Sequence, residues 1–254
     1  MKKVLVTGGL GFIGSNFVRF LLGKYPDLHV VNFDKEIYCG NLENLQDVEK
    51  DSRYEFVRGD VCDAEAVARA MSGCASVFNF AAQTHVDRSI LNAEEFVMTN
   101  VFGTYVLLEA AKRLKLEKFV QISTDEVYGS IEKGSFSEES PLRPSSPYAA
   151  SKASADLLCL AYFKTYGIPI LITRCTNNFG SYQYPEKLVS LFITNAIENR
   201  KLPLYGDGLN VREWIHVLDH CEAIDLIWGK EKTEKFTISG LGMKSRTRKW
   251  RFPS

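Results

Sequence analysis

A glycine-rich segment between the first apolar run and the first helical pattern restricts the fold more than any other feature of this chain. Val4–Val6 is typical of a buried strand, Gly9-x-Gly11-x-x-Gly14 follows, and apolar residues then recur at helical spacing over 12–24. Glycines at such a junction permit a tight turn and a close approach of the backbone to a pyrophosphate at the helix N-terminus. The alternative is a glycine-rich turn in an α/β protein that binds no nucleotide.

Short apolar runs alternate with helical patterns as far as Arg174. The predicted strands are Val4–Val6, Val30–Phe33, Tyr54–Arg58, Ser76–Ala81, Phe119–Ser123 and Ile170–Arg174. The predicted helices are Phe12–Lys24, Glu94–Leu114 and Pro147–Tyr166. This order predicts an α/β fold, a doubly wound parallel sheet of the Rossmann type with helices on both faces.

Beyond Arg174 loops dominate the sequence. One helix is predicted near Leu188–Asn199, and short extended pieces at 204–205 and Val211–Ile215. We therefore expect a Rossmann domain at 1–174, a smaller and incomplete substrate lobe at 175–229, and a basic tail at 230–254. The lobe would lie at the carboxyl edge of the sheet, where such folds bind ligands.

Composition excludes several classes of protein. The 254 residues carry 31 Lys and Arg against 31 Asp and Glu, which argues against a globally basic nucleic-acid binder. No apolar run approaches the roughly 18 residues of a membrane span, and no signal peptide precedes Gly8. The six cysteines form no C-x-x-C pair and no metal-ligand spacing, which favours free thiols. We expect a cytoplasmic protein with no metal site and no nucleic-acid or membrane partner.

Asp34 ends the second predicted strand, 20 residues after Gly14, where an acid binds the adenosine ribose of a dinucleotide. A carboxylate there repels a 2′-phosphate, which favours NAD over NADP, although the adjacent Lys35 weakens this preference. Asp60 and Val61 follow the third strand and are candidates to contact the adenine. A simple strand-end turn explains that acid nearly as well.

Two further motifs carry candidate catalytic groups. Tyr148 and Lys152 are four residues apart on a predicted helix, so both side chains lie on one face, and the ammonium would lower the phenol's pKa. Such a tyrosine can take a proton from a substrate hydroxyl. Asp125 and Glu126, in the run 123–129, follow the fifth strand, where one protonated and one ionised carboxyl would form a general acid and a general base. A solvent-exposed turn is the alternative for this acid pair.

These motifs together resemble the extended short-chain dehydrogenase/reductases, and among them most closely the dTDP-glucose 4,6-dehydratase family. The matching stretches are Thr7–Gly14, Asp34-Lys35 with Tyr38, Ala81-Ala82 with 85–89, Ser123–Gly129, Ser146–Lys152 and Pro185–Leu188. The resemblance implies that Tyr148, supported by Lys152, deprotonates the sugar 4-hydroxyl while NAD takes the hydride, and that Thr124 holds the 4-oxygen. Glu126 would remove the C5 proton and Asp125 would protonate the departing 6-hydroxyl.

The resemblance also implies binding residues and an assembly. The implied cofactor contacts are Gly8, Gly11, Phe12, Ile13, Gly14, Asp34, Lys35, Asp60, Val61, Ala81, Ala82, Thr99, Tyr148, Lys152 and Asn178. The implied substrate contacts are Thr84, Thr124, Asn177, Lys187, Leu188, Leu204, Tyr205 and Arg212. Members of the family are usually homodimers joined by helices that correspond to Glu94–Leu114 and Pro147–Tyr166.

Three alternatives stay open at the level of sequence. A 4-epimerase or a decarboxylase shares this scaffold, but epimerases lack the acid pair and decarboxylases typically keep only the glutamate. A non-catalytic nucleotide-binding protein is the third, because the resemblance stops near Gly229. Eight basic and two acidic residues follow that point. If the codons for 233–240 are read starting at their third base, the shifted triplets can encode the sequence of a strand found in the family. We therefore expect this tail to be an out-of-frame translation. The alternative interpretation of the tail is a functional basic segment that binds nucleic acid or an anionic surface.

Overall fold

The structure, a computed structural model, describes residues 2–131, 133–204 and 207–229, together with the backbone of two strands at 237–239 and 243–246. The strands are β1 (Lys2–Thr7), β2 (Leu28–Asp34), β3 (Tyr54–Arg58), β4 (Ser76–Asn79), β5 (Lys118–Thr124), β6 (Ile170–Cys175), β7 (Asn177–Phe179), β8 (Val211–His216), β9 (Thr237–Ser239) and β10 (Met243–Arg246). The helices are α1 (Phe12–Lys24), α2 (Ala64–Met71), α3 (Val86–Leu91), α4 (Glu94–Phe96), α5 (Gly103–Leu114), α6 (Pro147–Tyr166), α7 (Leu188–Ile197) and α8 (Val217–Trp228).

Two sheets carry the fold. The larger is parallel throughout, with strand order β3-β2-β1-β4-β5-β6-β9. In the smaller, β8 lies between β7, to which it is parallel, and β10, to which it is antiparallel. The order of the large sheet reverses between β1 and β4, and this switch point is where such sheets bind ligands. The predicted doubly wound parallel sheet is confirmed.

Helices cover both faces of the large sheet, so its strands read as continuous apolar runs. Leu5 packs with α2, α5 and α6, whereas its neighbours Val4 and Val6 pack with α1 and α8 on the other face. The central strands are therefore buried on both sides. The loops at the carboxyl ends of the strands are where such sheets form their sites.

Among the described residues, three helices were not predicted: α2, α3 and α8. Asp63 begins α2 by accepting hydrogen bonds from the amides of Glu65 and Ala66, both at 3.0 Å. Helix α8 follows β8 without a loop and buries Val217, Cys221 and Ile224 against α1 and the large sheet. Their spacing of three and four residues is helical, but the adjoining strand concealed it within one apolar stretch. Part of the segment assigned to the lobe thus packs on the large sheet.

The predicted helix 94–114 is continuous but irregular. A π-helical turn over Val97–Phe102 lies between α4 and α5, and such turns occur often at functional sites. Its residue Asn100 is buried and holds the loop after β4, because its side chain binds both the amide and the carbonyl of Gln83, at 2.8 and 3.0 Å. The predicted strand 76–81 ends early, at Asn79, since the next residues turn toward the ligand-binding edge.

Two simpler expectations concern the whole chain. All six cysteines are free thiols, as predicted. In the part of the chain described, no helix combines the length and apolar character needed to cross a membrane.

Candidate active site

A cleft of about 360 Å³ lies at the carboxyl ends of the large sheet. It is lined by the turn between β1 and α1, by the ends of β2, β4 and β5, by the start of α6, and by the segment after β6. All fifteen residues assigned to the cofactor line this cleft, and so do the five assigned to catalysis. The sequence motifs, separated by up to 170 residues, therefore converge on one site.

The glycine-rich turn shows why side chains are excluded from it. Gly8 has φ +69°, and a Cβ there would lie 2.7 Å from the amide nitrogen of Ala81. A Cβ on Gly14 would lie 2.3 Å from the carbonyl oxygen of Gly8. The turn thus presents bare backbone at the N-terminus of α1, which fits the pyrophosphate of a dinucleotide.

We expect Gly14→Ala to weaken NAD binding at least tenfold and to lower the free energy of unfolding by about 1–3 kcal/mol, because the new methyl group displaces the turn. Titration of NAD by calorimetry and denaturant unfolding would measure the two effects. Gly23→Ala is the matched control on the same helix, since a Cβ there meets nothing within 4 Å. Unchanged NAD affinity in the Gly14 variant would contradict this account of the turn.

Asp34 lies where β2 ends, in the part of the cleft predicted to hold the adenosine. Its two oxygens accept hydrogen bonds from the amides of Leu10, at 3.0 Å, and Glu36, at 2.8 Å, which fix the carboxyl group. Burial nevertheless raises its pKa to about 6. Lys35 points away and forms an ion pair with Asp60 at 2.6 Å. That pairing engages the adjacent cation, which would otherwise weaken the preference of Asp34 for NAD over NADP.

Tyr148 and Lys152 share one face of α6, as their spacing predicts. The helix begins at Pro147 because the hydroxyl of Ser146 accepts a hydrogen bond from the amide of Ala149 at 3.1 Å. Lys152 is buried, and its Nζ donates to the carbonyl oxygen of Ile122 at 2.6 Å. This contact anchors the helix face that carries both side chains to β5.

The expected lowering of the tyrosine's pKa is wrong for the ligand-free cleft. Burial raises the pKa of Tyr148, and the negative charges of Glu126 and Asp125 add to the rise, while a hydrogen bond with Thr124 opposes it. Burial also lowers the pKa of Lys152. Desolvation outweighs the local pairing because both groups lie deep in the cleft.

The acid pair, Asp125 and Glu126, opens a short 3-10 helix directly after β5. Thr124 caps it, because its Oγ1 accepts a hydrogen bond from the amide of Glu126 at 3.2 Å. Burial and the neighbouring negative charge of Glu126 together raise the pKa of Asp125 to about 6. The pKa of Glu126 is raised by burial but drawn down by the charges of Lys187 and Arg212. The neighbouring charges thus favour the protonated form of Asp125 and oppose the protonated form of Glu126.

The residues assigned to the sugar nucleotide divide into two groups. Thr84, Thr124, Asn177, Lys187 and Leu188 line the cleft, and the Nζ of Lys187 donates to the carbonyl of Thr84 at 3.0 Å. Leu204 and Arg212 lie outside the lining, although the charge of Arg212 reaches Glu126. Tyr205 falls outside the described residues. Leu204 and Arg212 belong to the small lobe, and their assignment to the substrate stays a prediction.

Several lining residues were not assigned a role from the sequence. They include Tyr38, Gln83, Tyr184, Glu186 and Trp214. Tyr38 takes a left-handed backbone conformation, with φ +58°, and its ring lies 5.7 Å from that of Tyr184. The guanidinium of Arg88 also lies over the Tyr38 ring, 4.3 Å from its centroid. The matching stretches contained Tyr38, but nothing local in the sequence indicated its contacts with later segments.

Comparison with known proteins decides the family. The family model described as GDP-mannose 4,6 dehydratase matches residues 5–250. The dTDP-glucose 4,6-dehydratase of Streptomyces niveus is 52% identical over 243 residues, which cover 94% of this chain and 72% of that protein. The chain belongs to the nucleotide-sugar 4,6-dehydratase family. Its family match also runs through most of the segment after Gly229, part of which forms β9 and β10.

Solved structures share the fold across more than one reaction. The dTDP-glucose 4,6-dehydratase DesIV of Streptomyces venezuelae, solved with NAD and TDP, has a TM-score of 0.94 and 50% identity, covering 97% of this chain and 78% of its own. A UDP-glucuronic acid 4-epimerase of Bacillus cereus, solved with NAD and its substrate, has a TM-score of 0.92 at 31% identity, covering 97% and 80%. Both reactions use this fold, so the reaction of a dehydratase-family chain must be inferred from its side chains.

Proposed function

We propose that this chain dehydrates a nucleoside-diphosphate glucose, with dTDP-glucose as the favoured substrate, to the 4-keto-6-deoxy sugar nucleotide. The observation that carries the proposal is the position of the acid pair in the same cleft as Thr124, Tyr148 and the glycine turn. An epimerase needs only the oxidising groups, whereas elimination of water needs an acid and a base in addition. The similarity to dTDP-glucose 4,6-dehydratases described above supports dTDP as the nucleotide of the substrate.

NAD is the cofactor that the cleft fits. Gly8 and Gly14 would meet its pyrophosphate, and Asp34 its adenosine ribose, with Phe12, Ile13 and Asp60 beside them. When bound, NAD supplies the acceptor and later the donor of a hydride, and its positive ring favours a phenolate at Tyr148. Lys152 holds the helix face that carries the phenol, through its bond to Ile122.

The chain's own groups then divide the proton transfers. Tyr148 takes the proton of the sugar 4-hydroxyl, and Thr124 holds the oxygen that becomes the ketone. The ketone acidifies the C5 hydrogen, and Glu126 takes it as a proton, so the C5–H electrons form a C5=C6 double bond. Asp125 gives its proton to the departing 6-hydroxyl, which leaves as water. Hydride returns to C6 and a proton to C5, so the overall reaction is redox-neutral.

One assay tests the proposal. Purified protein is incubated with NAD and dTDP-glucose, and the 4-keto sugar nucleotide is sought by its absorbance in alkali and by mass. Loss of one water from the substrate is the expected result. Recovery of a 4-epimer without loss of mass would identify an epimerase, and retained NAD with unchanged substrate would identify a nucleotide-binding protein. A panel of dTDP-, UDP- and CDP-glucose identifies the base.

We also propose that the protein is a cytoplasmic homodimer formed through the π turn, α5 and α6. These neighbouring elements expose Val97, Met98, Phe102, Tyr105 and Leu157. Exposed apolar residues gathered on adjoining helices are typical of an interface with another protein. A second copy of the chain offers the same face and so covers it symmetrically.

We expect Leu157→Glu to convert a dimer to monomers, because it places a charge within the apolar face. Sedimentation velocity at several protein concentrations measures the change. Leu226→Glu is the matched control, since Leu226 is 66% exposed, against 55% for Leu157, but lies on α8 across the sheet. A dimer that survives Leu157→Glu and dissociates with Leu226→Glu would place the interface on the opposite face.

A further inference from the structure

A buried arginine lies beneath the catalytic groups and contacts the elements that carry them. Arg174, on β6, is 3% exposed. Its Nε donates to the Oδ2 of Asp156 at 2.9 Å, and its Nη1 donates to the Oη of Tyr128 at 2.6 Å. Asp156 and Tyr128 are themselves buried. No role was assigned to these three residues, and none of them lines the cleft.

Asp156 lies on α6, the helix that carries Tyr148 and Lys152. Asp156 lies four residues after Lys152 and eight after Tyr148, so all three share one face of α6. The charge of Asp156 raises the pKa of Lys152 against the effect of burial. A shift of α6 relative to β6 would therefore move the phenol and weaken this electrostatic support.

Tyr128 lies on the short helix that carries the acid pair. It is the last residue of the 3-10 helix Asp125–Tyr128. Its ring lies under the Arg174 guanidinium, at 4.9 Å, and stacks on Phe136 at 5.1 Å. The helix has a single turn and cannot hold its own orientation, since so short a segment gains little from its internal hydrogen bonds.

We propose that Arg174 is a positioning residue that fixes the acid pair relative to Tyr148 and Lys152, through Tyr128 on one side and Asp156 on the other. The proposal rests on the proposed function, in which Tyr148 acts at C4 and the acid pair acts at C5 and C6 of the same sugar. The planar guanidinium suits this task because it donates in two fixed directions at once, which an ammonium cannot do. Misplacement of a catalytic group by 1 Å costs about 10²-fold in rate.

Tyr128→Phe tests the acid-pair side with the smallest change, the loss of one oxygen. In a single turnover followed by the near-ultraviolet absorbance of NADH, oxidation at C4 makes NADH, and reduction at C6 after elimination consumes it. We expect NADH to form within about twofold of the wild-type rate and to decay about tenfold or more slowly, because only elimination depends on the acid pair. Tyr162→Phe is the matched control, since it also removes the hydroxyl of a buried tyrosine. That hydroxyl donates a hydrogen bond to Glu109 at 2.5 Å.

Asp156→Asn tests the contact between Arg174 and α6, and here we expect the opposite pattern of rates. It should slow NADH formation while the subsequent decay keeps its wild-type rate, and Arg174→Lys should slow both. Equal slowing of formation and decay by Tyr128→Phe, or an unchanged decay, would overturn the proposal, because a merely structural role has no reason to separate the two steps. Melting temperatures accompany each variant. Failure of the wild-type protein to make NADH or the keto sugar would instead count against the proposed function.

Discussion

Asp125→Asn should lower turnover by about 10²- to 10⁴-fold and leave NADH bound after each oxidation, because the amide cannot protonate the departing hydroxyl. Oxidation at C4 needs Tyr148 and not Asp125, so the first step continues and the reaction stops before elimination. Stopped-flow absorbance measures the accumulated NADH, and mass analysis measures the missing product. Asp27→Asn, at an exposed position remote from the cleft, is the control. Normal turnover in the Asp125 variant would exclude this residue as the acid.

The same substitution should stabilise the protein at neutral pH. The folded pKa of Asp125 is about 6, above its ordinary value of 3.8, because burial and Glu126 disfavour the charged form. The protonated carboxyl therefore contributes stability below pH 4, and this contribution is lost as pH rises through about 6. The amide stays neutral, so we expect its free energy of unfolding to exceed that of the wild type by about 1–2 kcal/mol at pH 7.5, and the difference to vanish near pH 4.

Urea unfolding at those two pH values gives the difference directly. A variant that is less stable than the wild type at pH 7.5 would show that the contacts of the Asp125 carboxylate stabilise the fold by more than its desolvation destabilises it. The expected gain follows from the site's purpose, since a general acid must be kept partly protonated at a cost to the fold. Activity and stability should thus change in opposite directions at this residue.

The parts of the fold that were predictable are those in which local sequence determines local structure. The turn between β1 and α1 needs glycine for reasons confined to a few residues, and Ser146 with Pro147 begins α6 in the same local way. It was also predictable that the residues assigned to the cofactor would lie in one cleft, since parallel strands end at one edge of the sheet. Helix α8 was not, because its apolar positions adjoin those of β8 without a loop.

The pKa shifts and long-range contacts of the site were less predictable than the identity of the residues that form it. The spacing of Tyr148 and Lys152 indicated a shared helix face, but not the depth at which that face would be buried. Depth decides the sign of the tyrosine's pKa shift, and it depends on the whole sheet. The bond from Arg174 to Tyr128 likewise joins residues 46 apart. No pattern along the chain shows such a contact before the strands are in place.

Tyr148→Phe should lower the rate of NADH formation by about 10²- to 10⁴-fold, because Tyr148 is the proposed acceptor of the proton of the 4-hydroxyl and phenylalanine cannot accept it. NAD affinity should stay within about twofold, since the phenol is one of many groups lining the cleft. The absorbance burst and a calorimetric titration of NAD measure these two results. Tyr166→Phe, on an exposed part of the same helix, is the control.

The double variant Tyr148→Phe with Asp125→Asn then tests the order of events. If oxidation precedes elimination, the Asp125 variant alone accumulates NADH, while the double variant forms as little as Tyr148→Phe does. The two losses should not add, because the second group acts only on a product of the first. A double variant that accumulates NADH would show that oxidation does not depend on Tyr148. An additive loss of product would show that the acid pair also serves the first step, in which case the division of proton transfers between the two groups is wrong.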